Sequence, residues 1–173
     1  MKRLFLLTFL LCGVISTVYA QSGNPSPGTK IGVALETGLP VGDAEDVYSV
    51  GLGGSAKVEI PISNPFALTV SAGYMSLLVK DELEPTLGDK REFIPIKAGA
   101  KYYFGRTFFG EGELGASIPT EDDDDTAFAY APGIGVTLPV ADKTAIDVGV
   151  RYEGWTKDVG NIDQVGLRAV VKF

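Results

Sequence analysis

The sequence predicts an all-β chain, an eight-stranded antiparallel up-and-down β-barrel, over residues 30–173. Two observations predict it. Apolar residues alternate with polar or small residues at a period of two, which indicates strands with one apolar face. The connections between these segments also alternate between short and long. The predicted strands are 30–39, 48–60, 66–78, 93–104, 107–118, 128–138, 144–154 and 163–173.

The length of the strands points to a membrane. In the last segment, Val165, Leu167, Ala169 and Val171 alternate with polar or small residues. Such runs are about 10 to 13 residues long, whereas strands of soluble proteins average about 5 to 6. A tilted strand needs about 9 to 11 residues to cross a bilayer.

The connections separate into two kinds. Those after the second, fourth and sixth strands are short: 61–65, 105–106 and 140–143. The others are longer: 40–47, 79–92, 119–127 and 154–163. Transmembrane barrels have short periplasmic turns at one end and longer loops at the other, so the strands are predicted to be transmembrane.

Aromatic residues on the predicted apolar face collect at the two ends of the strands. The short-turn end holds Phe66, Tyr102, Phe104, Phe108 and Phe173, and the long-loop end holds Tyr48, Tyr74, Phe128, Tyr130 and Tyr152. Aromatic rings favour both water–lipid boundaries, so these residues are predicted to form two aromatic girdles.

The opposite face carries six basic and six acidic residues. We expect them to form an ion-pair network in a narrow lumen, where an unpaired charge is costly. They are Lys57, Lys97, Lys101, Arg151, Arg168, Lys172, Glu36, Glu59, Glu111, Glu113, Asp147 and Glu153.

The first 29 residues precede the predicted barrel. Lys2 and Arg3, an apolar run over 4–16, and Val18-Tyr19-Ala20 follow the layout of a signal peptide cleaved after Ala20. Residues 21–29 are rich in Gly, Pro and Ser and are expected to be a flexible lead. Cleavage would remove two of the 15 basic residues and leave 13 against 22 acidic ones, a net charge of −9. Such an acidic chain is not expected to bind nucleic acid.

The chain resembles the small outer-membrane β-barrel family grouped with OmpX, OmpW and the barrel domain of OmpA. The resemblance is carried by FIPIKAGAKYYF (93–104), FFGEGELGAS (108–117), FAYAPGIGV (128–136), AIDVGVRYEGW (145–155) and VGLRAVVKF (165–173). It implies both termini in the periplasm and assembly by the outer-membrane insertion machinery. Pro95 and Pro132 depart from the pattern, and we expect β-bulges there.

No catalytic constellation is predicted. The sequence has no histidine, which excludes Ser/His/Asp and Cys/His triads and His-based metal sites. Glu111 and Glu113 could be a glycosidase pair, but an inward ion-pair network is the better interpretation. No cofactor is predicted.

An acidic run, Glu121, Asp122, Asp123, Asp124 and Asp125, lies in the third long loop. One hypothesis is weak binding of Ca²⁺ or Mg²⁺, which prefer carboxylate oxygens. The alternative is an ordinary solvated loop, because charge runs are commonly disordered.

The sequence therefore predicts a monomeric outer-membrane barrel with a filled lumen and a structural, adhesion or surface-interaction role, in contact with lipid and lipopolysaccharide. Two alternatives remain: a narrow channel for ions or small solutes, and a soluble periplasmic barrel that binds an apolar ligand.

Overall fold

A computed structural model describes residues 28–121, 125–157 and 160–173. The predicted signal peptide and most of the flexible lead lie outside the described residues. The chain forms one closed antiparallel barrel of eight strands in sequence order. The strands are β1 (Lys30–Val41), β2 (Tyr48–Ser63), β3 (Phe66–Val79), β4 (Lys90–Phe104), β5 (Phe108–Pro119), β6 (Ala127–Ala141), β7 (Thr144–Thr156) and β8 (Asn161–Lys172).

The barrel closes where β8 pairs with β1. Their pairing runs from Gly32 opposite Lys172 to Val41 opposite Asp163. Beyond it, the backbone N–H of Phe173 donates to the carbonyl oxygen of Ile31 at 2.8 Å. Each strand therefore has two hydrogen-bonded neighbours, which leaves no open sheet edge. The predicted all-β, up-and-down, eight-stranded fold is confirmed.

The two ends of the barrel differ. At the short-turn end, residues 64–65, 105–107 and 142–143 connect the strands. At the long-loop end the connections are 42–47, 80–89, 120–126 and 157–160. The first contains a 3₁₀ turn (Gly42–Asp46), and the second contains the helix α1 (Glu84–Leu87). Several strands continue further into these connections than the alternation predicted. No helix among the described residues is long and apolar enough to span a bilayer.

A register shift in β2 changes the direction of Tyr48. Tyr48 pairs with Val79, but Val50 pairs with Leu78, so Ser49 is an additional residue in β2. A bulge of this kind reverses the alternation of the residues that precede it. Tyr48 consequently packs inward against buried residues at the long-loop end. The expectation that Tyr48 belongs to an outer aromatic girdle is therefore wrong.

The two prolines inside strands interrupt the ladder without shifting its register. On one side of Pro95, the β3–β4 pairing stops at Ala72–Ile96 and resumes unchanged at Met75–Phe93. Pro132 lies in an equivalent gap between β6 and β7. The register is unchanged across both prolines, so the β-bulges expected at Pro95 and Pro132 are absent. Each proline lacks an N–H and omits hydrogen bonds toward one neighbour, while it stays paired with β5 on the other side.

Inward-facing glycines allow neighbouring strands to approach closely. A Cβ added to Gly99 in β4 would lie 2.1 Å from the carbonyl oxygen of Gly112 in β5. No side chain fits at that distance. Gly112 has the opposite orientation, and a Cβ built there meets no atom within 4 Å.

Candidate functional site: the barrel interior and its two surfaces

The outer wall of the barrel is an apolar belt. Leu35 in β1, Ile134 in β6 and Leu167 in β8 point outward and are 75%, 70% and 57% exposed. Exposed apolar area of this extent is unusual on a soluble monomer, where the largest patches cover a few hundred Å². It is the surface that a transmembrane strand presents to lipid.

Nine of the ten residues predicted for the aromatic girdles lie on this outer wall. Phe66, Tyr102, Phe104, Phe108 and Phe173 lie at the short-turn end, and Tyr74, Phe128, Tyr130 and Tyr152 at the long-loop end. Ring contacts join neighbouring strands at both ends. The Phe66 and Tyr102 centroids are 4.8 Å apart, and the Tyr130 and Tyr152 centroids are 6.1 Å apart.

The inner wall near the short turns carries four charged side chains, which we call the short-turn cluster: Glu59, Lys101, Asp147 and Lys172. Nζ of Lys172 lies 3.1 Å from Oε2 of Glu59 and 2.8 Å from Oδ2 of Asp147. Lys101 pairs with the same two carboxylates and also lies over the Phe109 ring, 3.8 Å from its centroid. Two cations and two anions thus balance in a site that is almost completely buried.

A second group, the central charge cluster, occupies the middle of the lumen. It holds four basic and four acidic residues: Lys57, Lys97, Arg151, Arg168, Glu36, Glu111, Glu113 and Glu153. Arg168 joins two acids, with Nε 3.0 Å from Oε1 of Glu36 and Nη1 2.7 Å from Oε2 of Glu113. Nζ of Lys97 lies 2.5 Å from Oε1 of Glu153. The structure therefore brings all twelve predicted lumen residues together in two neutral groups.

Glu111 and Glu113 are surrounded by cations and leave no sugar cleft. Glu111 pairs with Lys57, and Glu113 accepts hydrogen bonds from Ser71 and Arg168. The cavity beside them has a volume of about 20 Å³. A space of that size holds about one water molecule.

The lumen is closed at the long-loop end by apolar side chains that the sequence analysis did not identify. This apolar cap consists of Ala44, Met75, Leu77, Phe93, Ala127, Ala129, Trp155 and Ile162, with Tyr48 packed against it. The Phe93 and Trp155 rings are 4.8 Å apart, and the Trp155 indole N–H donates to Oε1 of Glu153 at 2.9 Å. Strand parity could have revealed the cap. Phe93 shares the parity of Lys97 on β4, and Trp155 that of Glu153 on β7.

Known structures share this architecture. No family model and no curated protein matches the chain. The outer membrane protein Ail of Yersinia pestis, determined in a phospholipid nanodisc, aligns with a TM-score of 0.54 and 15% identity, over 84% of this chain and 98% of that one. This chain has the fold of the small outer-membrane β-barrels.

Two further barrels of this fold align similarly. Neisserial surface protein A has a TM-score of 0.52 and 15% identity, over 83% of this chain and 95% of its own. Outer membrane protein AlkL, determined in lipid bilayers, has a TM-score of 0.51 and 14% identity, over 88% of this chain and 90% of its own. A crystal structure of Ail also contains the heparin analogue sucrose octasulfate.

The cation site predicted in the third long loop is described only at its two ends, Glu121 and Asp125. Oε2 of Glu121 lies 2.5 Å from Nη1 of Arg91, so this carboxylate is already paired. Asp122, Asp123 and Asp124 lie outside the described residues. Residues 28–121, 125–157 and 160–173 contain no group of three or more acidic side chains arranged to hold a metal ion. Cation binding at this run stays a prediction.

Proposed function

We propose that the chain is an integral protein of the bacterial outer membrane, in which the barrel is a sealed anchor and the acidic long loops make contacts at the cell surface. The role is structural or adhesive and not enzymatic. Export through the secretory pathway, assembly by the insertion machinery, periplasmic termini, contact with lipopolysaccharide and a monomeric state belong to the same proposal.

One observation carries the proposal: an apolar, aromatic-bordered outer wall surrounds a lumen filled with paired charges. The outer wall suits lipid, which makes the alternative of a soluble periplasmic barrel unfavourable. The interior of an eight-stranded barrel is just wide enough for side chains to fill. The central charge cluster and the apolar cap occupy that space. A lumen filled in this way does not favour a steady aqueous channel.

The loops are the part of the molecule left to interact with other components. Connections 40–47, 79–92, 119–127 and 154–163 carry net charges of −3, −2, −5 and −1. Such a rim repels phosphate and sulfate groups, so contact with the phosphates of lipopolysaccharide requires cations that screen or bridge the charges. A polyanion such as the heparin analogue in the Ail complex is therefore not an expected partner. A partner that presents a cationic surface is expected instead.

Orientation can be tested by cysteine labelling, because the only cysteine of the sequence, Cys12, lies in the predicted signal peptide. Thr86→Cys places a thiol on α1 at the long-loop end. Asp142→Cys places the matched thiol in an exposed short turn. A membrane-impermeant maleimide should label Thr86→Cys on intact cells, and label Asp142→Cys only after the outer membrane is opened. If only Asp142→Cys were labelled on intact cells, the proposed orientation would be wrong and the short turns would face the outside of the cell.

Conductance separates the anchor from the channel. Purified protein in a planar bilayer should give little or no steady current. Arg168→Ala removes the side chain that joins Glu36 and Glu113, and it should increase leakage if the clusters seal the lumen. Large, stable single-channel steps from the unsubstituted protein would favour the channel.

A further inference from the structure

A groove crosses the outer wall of the barrel near the short-turn end. It lies across β5, β6, β7 and β8, and its volume is about 410 Å³, within the range of small-molecule sites. We call it the wall groove. Its sides are exposed apolar side chains, among them Phe108, Ile134, Val150 and Leu167. None of the described residues that line it is charged, so its occupant must be apolar along the groove.

The shape and the location of the wall groove favour a hydrocarbon chain. Gly135 of β6 and Gly149 of β7 are paired and line the groove between larger side chains. The outer wall of a closed barrel is convex, so a second copy of this chain would touch the edges of the groove and leave its floor uncovered. A flexible acyl chain can follow the recess and gain contacts with its floor. The groove also lies on the wall that faces the hydrocarbon of the bilayer, where acyl chains are the available apolar groups.

One end of the wall groove lies at the boundary between water and lipid. Phe104 and Phe108 pair where β4 and β5 meet, line the groove, and belong to the aromatic girdle at the short-turn end. Such girdles lie at the level of the lipid headgroups. From there the groove extends to Leu167, near the middle of the lipid-facing side of β8. A lipid with one chain in the groove therefore has its headgroup beside the turn 105–107.

That turn carries one charge, the guanidinium group of Arg106. The residue is exposed, and no acidic side chain among the described residues pairs with it. Arginine presents several N–H donors that match the oxygens of a phosphate group. Lys143, in the next short turn, has Asp142 beside it and lies about 16 Å along β7 from Val148, at 3.3 Å per residue. Arg106 is therefore the cation next to the groove.

We propose that the wall groove binds an anionic phospholipid, with one acyl chain along the groove and the phosphate group at Arg106. Every membrane lipid carries hydrocarbon, so the groove alone does not select among lipids. The attraction between Arg106 and a headgroup of net negative charge supplies the selectivity. This inference rests on the proposed function, because periplasmic short turns place the site in the leaflet of phospholipids. It adds a lipid class and a position to the general contact of the outer wall with lipid.

The test measures which lipid lies beside a tryptophan placed in the wall groove. Phe108→Trp puts this reporter next to Arg106, and Phe66→Trp is its match at the same end, beside the uncharged turn 64–65. The protein is reconstituted into phosphatidylcholine vesicles, and quenching by brominated phosphatidylglycerol is compared with quenching by brominated phosphatidylcholine. The signal of Trp155 is measured on the unsubstituted protein and subtracted.

Phosphatidylglycerol should bind about fivefold tighter than phosphatidylcholine at the Phe108→Trp reporter, as one arginine near anionic lipid gives. At Phe66→Trp the two lipids should quench about equally. The proposal is overturned by equal quenching at Phe108→Trp, or by the same preference at both reporters. Absence of quenching by either lipid at Phe108→Trp would also overturn it, because a second copy of the chain would then cover the groove.

Two further substitutions, made in the Phe108→Trp protein, separate the headgroup from the acyl chain. Arg106→Gln removes the charge from an exposed turn and should make the two lipids quench nearly equally. Val148→Phe fills the groove and should also remove the preference, whereas Val70→Phe, on the lipid-facing side of β3, should leave it unchanged. A preference that survives Arg106→Gln or Val148→Phe overturns the proposal. The vesicles have a chosen composition, so these outcomes are independent of the cysteine-labelling test of orientation in cells.

Discussion

Replacing Lys101 with methionine should destabilise the barrel by removing one cation from the short-turn cluster. Lys101 is completely buried and pairs with both Glu59 and Asp147. Removing one partner of a buried ion pair costs about 3 to 5 kcal/mol, because a charge remains uncompensated. Lys172 still contacts both carboxylates, at 3.1 and 2.8 Å, so we expect the lower end of the range, about 3 kcal/mol.

The double substitution Lys101→Met with Asp147→Asn distinguishes charge imbalance from lost packing. It leaves one cation, Lys172, and one anion, Glu59, in the cluster. The double variant should therefore be more stable than Lys101→Met alone, by about 1 kcal/mol or more, a coupling typical of directly interacting residues.

The assay is urea unfolding in phospholipid vesicles, followed by the fluorescence of Trp155, the only tryptophan of the sequence. Lys143→Met, in an exposed short turn, is the matched control and should change stability by less than about 0.5 kcal/mol. A cost for Lys101→Met no larger than that of this control would contradict a stabilising role for the buried charge pairs. Simple addition of the costs of the two single variants would contradict the coupling between Lys101 and Asp147.

Three other predictions concern the wall and the loops. Leu167→Arg, near the middle of the lipid-facing side of β8, should cost about 2 to 4 kcal/mol in the same unfolding assay, while Leu167→Ala should cost much less; equal costs would contradict a lipid-facing Leu167. Gly99→Ala should lower the free energy of unfolding by about 1 to 3 kcal/mol, because the added Cβ would clash with the backbone of β5, whereas Gly112→Ala should be nearly neutral. The reverse order would refute the close approach of β4 and β5. Changing Asp122–Asp125 to Asn should reduce the heat of Ca²⁺ binding in calorimetric titration, whereas identical heats would mean an ordinary solvated loop.

The strand count and the two faces could be predicted because the side-chain period of a strand is fixed. Once Leu167 is assigned outward, Arg168 must point inward, and the same parity holds along an uninterrupted strand. A β-bulge, which adds one residue to a strand, reverses this parity for the residues on one side of it. Ser49 changes the parity of Tyr48, and nothing in the local alternation marks where a bulge occurs.

The composition of the interior was only partly predictable. Balanced charge on the inner face indicated burial, but the identity of each pair depends on which strands face each other across the lumen. Arg168 of β8 contacts Glu113 of β5 across the lumen. Neither the spacing of residues in the sequence nor the register between adjacent strands predicts this contact. The apolar cap was not predicted, because Phe93 and Trp155 are apolar residues at inward positions of strands whose inner face is otherwise polar or small.

The cross-lumen ion pairs constrain how the barrel can form. Lys97 on β4 meets Glu153 on β7, and Lys101 on β4 meets Asp147 on β7. Arg151 on β7 reaches Glu36 on β1. None of these contacts joins adjacent strands, so an isolated hairpin gains none of them. The charges of a partly formed sheet would have to stay in water until the last strand closes, and we therefore expect folding in the bilayer to be a single cooperative step, with no stable half-barrel.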